Sequence, residues 1–250
     1  DPEDQVFKLE NSNFKVYYIG HKKLITLMMK MDADMVVMTM PDLDNYHIKR
    51  SYVRKDVEYV FMFHGPLSMH MAMREGCVDN YDTIFCVGPH VYNEVRKIEE
   101  VYKLPPKKLI KCGYGVLENL TNEYLKYENK EHSNIKILIA PSWQADNIMD
   151  SCIYDILNNI SDENKEIIVR PHPEYVKRYP AKIKDLKLNL DNKKNITIED
   201  DFSNNTSIFE ADIMISDWSG VAYEYAFSTK KPVIFINTPM KVMNPNYTKL

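Results

Sequence analysis

The sequence has no run of apolar residues near the ~20 needed to span a bilayer, and no secretory leader is visible. It has no basic excess either. Lys and Arg number 32 against 36 Asp and Glu, and the net charge of −4 argues against a dedicated nucleic-acid binder. The 4 cysteines form no CxxC pair. Cys77, Cys86, Cys112 and Cys152 stand far apart, and Cys86 and Cys112 end apolar runs, so they read as reduced core residues of a cytosolic protein. His21, His47, His70, His90 and His132 show no metal spacing, so no metal is expected. Glycine is scarce at 7 residues, which gives weight to each one placed in a turn. What remains is a globular composition, 44% hydrophobic and 27% charged, in 250 residues that suit one large or two medium domains.

Residues 211–237 organise the rest. Ile213, Met214 and Ile215 read as a buried parallel strand that stops at Ser216-Asp217-Trp218-Ser219-Gly220. Ser219 suits the N-cap of a helix from about Val221, and Gly220 would let a ligand approach the backbone. A strand end feeding a helix N-terminus favours an anion, and Glu224, one turn in, could accept ribose hydroxyls. The same residues also suit an ordinary strand–helix–strand unit with a capped helix.

Upstream, apolar runs predict strands at 14–19, 35–38, 59–63, 83–87 and 109–112, with helices over 22–31, 68–75 and 89–102. Residues 1–12 read as loose, 117–133 as polar after a short helix, and 126–132 as a linker. A second alternation follows. It has strands at 135–140, 166–169, 196–198 and 213–215 and helices over 148–160, 175–190 and from Val221. There is no internal sequence repeat. The expected fold class is α/β, two tandem Rossmann-like doubly wound parallel-sheet domains, with a first domain at 1–125 and a second at 126–250.

The chemically distinctive residues gather just after strands, where open parallel sheets bind ligands. Arg170-Pro171-His172-Pro173 holds an Arg and a His on a rigid turn beside a helix start, which suits a diphosphate. A solvated Arg and a proline-framed His in a loop are the plainer alternative. His64 ends the run at 59–63 and precedes a Gly-Pro turn, a position for a general base or for a histidine satisfied at a strand end.

Taken in order, His64-Gly65, Pro141-Ser142-Trp143, Arg170 to Pro173, Ser216-Asp217-Trp218-Ser219 and Lys230-Lys231-Pro232-Val233-Ile234-Phe235-Ile236 resemble the CDP-glycerol glycerophosphotransferase family, the teichoic-acid polymerases and primases. The resemblance spans about 59–237 and implies a GT-B-like fold, with acceptor on the first domain and nucleotide on the second. It implies that His64, with Gly65 beside it, is the base on the acceptor hydroxyl. It puts Arg170 and His172 at the pyrophosphate, His172 counting with His64 as catalytic. Ser216, Asp217, Ser219 and Gly220 would build the phosphate turn, Glu224 would meet the ribose, and Ser142 and Trp143 would also bind the donor nucleotide.

The expected substrates are a CDP-linked donor and a lipid-linked or polymer acceptor, with no cofactor beyond them. The full protein would work in the cytoplasm at the inner membrane face. Lys22-Lys23 and Lys107-Lys108 could help there by attraction to anionic lipid, though such pairs are usually just solvated. A GT-B enzyme also ends with a helix crossing back to its first domain, so a chain truncated at its C-terminus is expected. Departures such as Gln144, where the family has Arg, and Ser219-Gly220, where it has two hydroxyl residues, leave the donor open. A glycosyltransferase or sugar-nucleotide epimerase of the same fold, or a non-catalytic nucleotide-binding module, fits these residues too.

Overall fold

Apolar runs alternate with charged helix-forming stretches, and the computed structural model turns that pattern into a β–α alternation over residues 5–9, 13–128 and 132–249. Most of the stretch expected to be loose at 1–12, and residues 129–131 of the expected linker, lie outside the described residues. In chain order the first elements are α1 (His21–Met29), β1 (Met35–Met38), β2 (Glu58–Met62), α2 (Met69–Ala72), β3 (Thr83–Cys86), α3 (Pro89–Tyr102), β4 (Lys108–Lys111) and α4 (Gly115–Lys126). There follow β5 (Ile135–Ile139), α5 (Ile148–Ser151), α6 (Ile153–Ile160), β6 (Lys165–Val169), α7 (Pro173–Arg178) and α8 (Pro180–Leu190). The last are β7 (Ile196–Ile198), α9 (Thr206–Glu210), β8 (Ile213–Ser216), α10 (Gly220–Thr229) and β9 (Val233–Phe235). The chain separates into two compact units, one of residues 1–64, 73–112 and 249–250, the other of 65–72 and 113–248.

The first unit holds a parallel sheet in the order β1-β2-β3-β4. Tyr59, Val60 and Phe61 of β2 are buried, as the unbroken apolar run requires of a parallel strand. Helix α3 starts at Pro89, buries Val91, Val95 and Glu99 on one face, and ends at Lys103 in the left-handed conformation with φ 54°. The strand expected at 14–19 does not form. Phe14 makes a single bridge, residues 15–20 have no regular structure, and Phe14, Tyr17, Tyr18 and Ile19 are exposed; apolar residues without a strand along their length gain little from extension. Lys107 is not available to lipid. It is buried, its ammonium donates to the carbonyls of Tyr81 at 3.1 Å and of Asp79, and burial lowers its pKa.

The second unit holds a parallel sheet in the order β7-β6-β5-β8-β9. Alternate residues of β5 face opposite sides, as the two-residue period of a strand dictates. Ile137 and Ile139 pack with Ile148, Leu157 and Leu186 of α5, α6 and α8. Leu138 and Ala140 pack with Leu120, Phe209 and Tyr225 of α4, α9 and α10. Each such side chain, fully buried, contributes about 1.5–3 kcal/mol. Both faces are thus covered by helices, the doubly wound arrangement. The helix read at 148–160 is two, broken at Cys152 with φ −147°.

Strand order fixes where a ligand belongs. From β5 the chain steps outward to β6 and β7, then returns to place β8 on the other side of β5. The loops after β5 and β8 therefore diverge at a topological switch point, where open α/β sheets bind ligands at the strand C-termini.

Candidate functional site

At that switch point the two loops are tied by Asp217. Its carboxylate is buried at 2% exposure and accepts the N–H of Ser142 at 2.7 Å and of Ile148 at 3.1 Å. Ser216 is buried beside it, its hydroxyl donating to the carbonyl of Ala140 at 2.6 Å. Both residues were expected to bind phosphate. Instead their polar atoms join β8 to the loop after β5. Ser219 does cap the position before α10, but without a side-chain cap bond. Gly220 faces Pro66, and a Cβ there would lie 3.4 Å from the proline ring. Glu224, expected at a ribose, accepts the Tyr114 hydroxyl at 2.7 Å and so joins α10 to the start of α4. Gly65 opens the segment 65–72, which packs with the second unit.

The Arg170 side chain, 10% exposed, donates to Glu199 at 3.1 Å, Ser207 at 2.9 Å and the carbonyl of Asn204 at 3.1 Å, and its guanidinium lies over the Phe202 ring. A guanidinium with these partners ties down the chain from 199 to 207. His172, two residues on, caps α7. Its Nδ1 accepts the N–H of Glu174 at 3.1 Å, so the neutral ring carries its proton on Nε2. Burial lowers the pKa of His172, and the positive charge of Lys241 lowers it further against the opposing Glu174. At neutral pH it is an uncharged donor.

The structure does bring His172 and Trp143 together, with ring centroids 6.2 Å apart. Around the same indole stand Arg178 at 4.6 Å and the ammonium of Lys241 at 5.4 Å. Lys241 comes from the segment after β9. That segment is held by Trp218, whose Nε1 donates to the Thr238 carbonyl at 3.0 Å, and by Gln144, whose amide donates to the Pro239 carbonyl at 2.9 Å. Burial lowers the Lys241 pKa, with Asp217 acting against the shift. Sequence reasoning missed Lys241 and Thr238. Their only signal was a position after an apolar strand, without a motif.

One more feature marks this edge. Buried polar atoms are nearly always hydrogen-bonded. Among the described residues five buried side-chain atoms have no partner, and four of them follow strands of the second sheet: Ser142 Oγ, Gln144 Oε1, Glu199 Oε2 and Thr238 Oγ1.

His64 is described within the first unit alone. It follows β2, is exposed, and sets its ring edge-on to Phe63 with centroids 6.0 Å apart. No group of three or more His, Cys, Asp or Glu able to hold a metal occurs among the described residues. No helix described is long and apolar enough to cross a membrane.

No curated protein matches the chain in sequence. Among solved structures, a variant of the wall teichoic acid polymerase TagF soaked with CDPG for 30 minutes is similar at 16% identity with a TM-score of 0.52. The match covers 82% of this chain and 53% of that one. The same variant without the soak gives 14% identity and a TM-score of 0.50, over 82% and 54%. The chain thus spans about half the length of these structures, and at such identity the likeness bears on the fold, GT-B-like with Rossmann-like sheets. The family sequence pattern described as CDP-Glycerol:Poly(glycerophosphate) glycerophosphotransferase matches residues 4–242, nearly all of the chain, and the chain belongs to that family.

Proposed function

We propose that the protein transfers a glycerol-phosphate or related polyol-phosphate group from a CDP-activated donor to an acceptor hydroxyl, in the synthesis of a cell-surface polymer. The observation that carries this is the meeting of His172, Trp143 and the Lys241 ammonium among the strand-end loops of the second sheet, in a chain of this family. In this reading the donor lies on the second unit. The acceptor oxygen attacks the phosphorus that bears the polyol, in line with the bridging oxygen. The bond from that phosphorus to the bridging oxygen breaks, and CMP leaves. The acceptor proton goes to His64, which follows β2 and is exposed. His172, as a neutral Nε2–H donor, meets charge growing on the departing phosphate without adding a cation of its own. Trp143 supplies a flat apolar wall. Arg170, Ser216, Asp217 and Glu224 act by holding these loops in place. No metal or cofactor takes part in this scheme, and the acceptor is a polymer or lipid-linked chain met at the inner membrane face.

Thermal shift with nucleotides tests the donor. CDP or CMP is expected to raise the melting temperature more than ADP, GDP or UDP, because a ligand that binds only the folded state stabilises it by mass action. A clear preference for UDP would move the reading to a nucleotide-sugar transferase or epimerase. No response to any nucleotide from the folded protein would remove the donor site.

A further inference from the structure

One cation among the strand-end loops of the second unit stands out by what it lacks. Other partly or fully buried lysines of the chain have oxygen partners. Lys107 donates to backbone carbonyls, Lys136 pairs with Glu210 at 2.5 Å, and Lys231 donates to the carbonyls of Phe209 and Ala211 at 2.7 and 2.8 Å. Lys241 has no ion pair and no hydrogen bond among the described residues, only the face of Trp143 at 5.4 Å. The carboxylate that senses it, Asp217, already accepts two backbone N–H groups. The other cations of this edge are engaged: Arg178 with Glu174 at 3.1 Å, and Arg170 with Glu199. A half-buried ammonium without an oxygen partner is under-solvated, and the lowered pKa of Lys241 has that origin.

We propose that Lys241 is the cation that holds the diphosphate of the donor, with the Nε2–H of His172 as its neutral partner. The proposal rests on the reading of this edge as the donor site. The His172 ring lies 6.2 Å from the same indole that the Lys241 ammonium faces, and the charge of Lys241 is felt at His172. An ammonium and an N–H donor beside one indole select an anion. A purely structural role for Lys241 would rest on its cation–π contact with Trp143 alone.

The test is Lys241→Met, which keeps an unbranched stem over Trp143 and removes the charge, with Lys241→Arg beside it. Binding of CDP and of inorganic pyrophosphate to the whole chain is measured by calorimetry, and the melting temperature is measured without ligand. Lys241→Met is expected to weaken both ligands by about 10- to 100-fold, the range for charge-assisted hydrogen bonds. It should leave the ligand-free melting temperature unchanged or raise it, and Lys241→Arg should retain most of the binding. Equal affinity of wild type and Lys241→Met for both ligands would overturn the role of Lys241 and leave the donor site standing. A lower ligand-free melting temperature with undiminished binding would make Lys241 structural. Pyrophosphate binding that depends on Lys241 with no preference for CDP over UDP would keep this proposal and overturn the cytidine donor. Failure of the folded wild type to bind either ligand would overturn both.

Discussion

Asp217 and His172 show how far a residue's type and its task can differ. An aspartate in a strand-to-helix turn looks like part of a phosphate loop, yet here each of its oxygens takes one buried backbone N–H. Asp217→Asn leaves a single acceptor oxygen, so one N–H loses its partner. A loss of about 1–3 kcal/mol in urea unfolding without ligand is expected; an unchanged midpoint would return Asp217 to the phosphate. His172 both caps α7 and faces the site. Its pKa is lowered in the folded protein, so the unfolded chain binds the proton more readily. Stability from this group is therefore complete above the ordinary histidine value of 6.5 and falls as pH drops from there towards the depressed folded value. Asparagine can cap in its place. His172→Asn should hold wild-type stability at pH 7.5 and lose less than wild type on going to pH 5, while His172→Ala should cost about 1 kcal/mol at pH 7.5 and less at pH 5. Both should bind CDP more weakly. An acid loss as large in His172→Asn as in wild type would assign it to another group.

Among the elements, those set by local pattern were legible. The runs that became β2, β3, β5, β6 and β8 are apolar enough to be strands in any context, and Pro89 fixed the start of α3. The turns after those strands, where the chemistry gathers, could be placed for the same reason. What failed needed partners distant in sequence. The stretch at 14–19 has the composition of a strand and, beyond one bridge at Phe14, no strand beside it among the described residues. Helix α4 was hidden among charged residues, although Leu117, Leu120 and Tyr124 are spaced for one face, because its start at Tyr114-Gly115 carries no cap residue. The orientation of Arg170 and the arrival of Lys241 beside Trp143 depend on loops more than 25 positions apart and cannot be read from spacing. The bond from Tyr114 to Glu224, at 2.7 Å, is the test at this scale. Tyr114→Phe should lower stability by about 1 kcal/mol with CDP affinity unchanged. A marked change in CDP affinity instead would restore Glu224 to the ribose.

For the whole molecule, the account assigns donor and acceptor to different units and leaves the donor's contacts to loops of one sheet. Hydrogen exchange of the chain with CDP should therefore gain protection at 141–147, 170–173 and 236–243, the loops after β5, β6 and β9. Protection confined to the strand ends of the first sheet would reverse the assignment. The central claim is the transfer itself, and its direct measurement is product analysis with CDP-glycerol and a glycerol-phosphate primer. Wild-type protein should release CMP and lengthen the primer by one glycerol phosphate for each CMP. His64→Ala should lower kcat by about 10²–10⁴-fold, the contribution of a general base, with CDP affinity unchanged. Release of a nucleoside diphosphate from a nucleotide sugar, with no CMP from CDP-glycerol, would contradict the account.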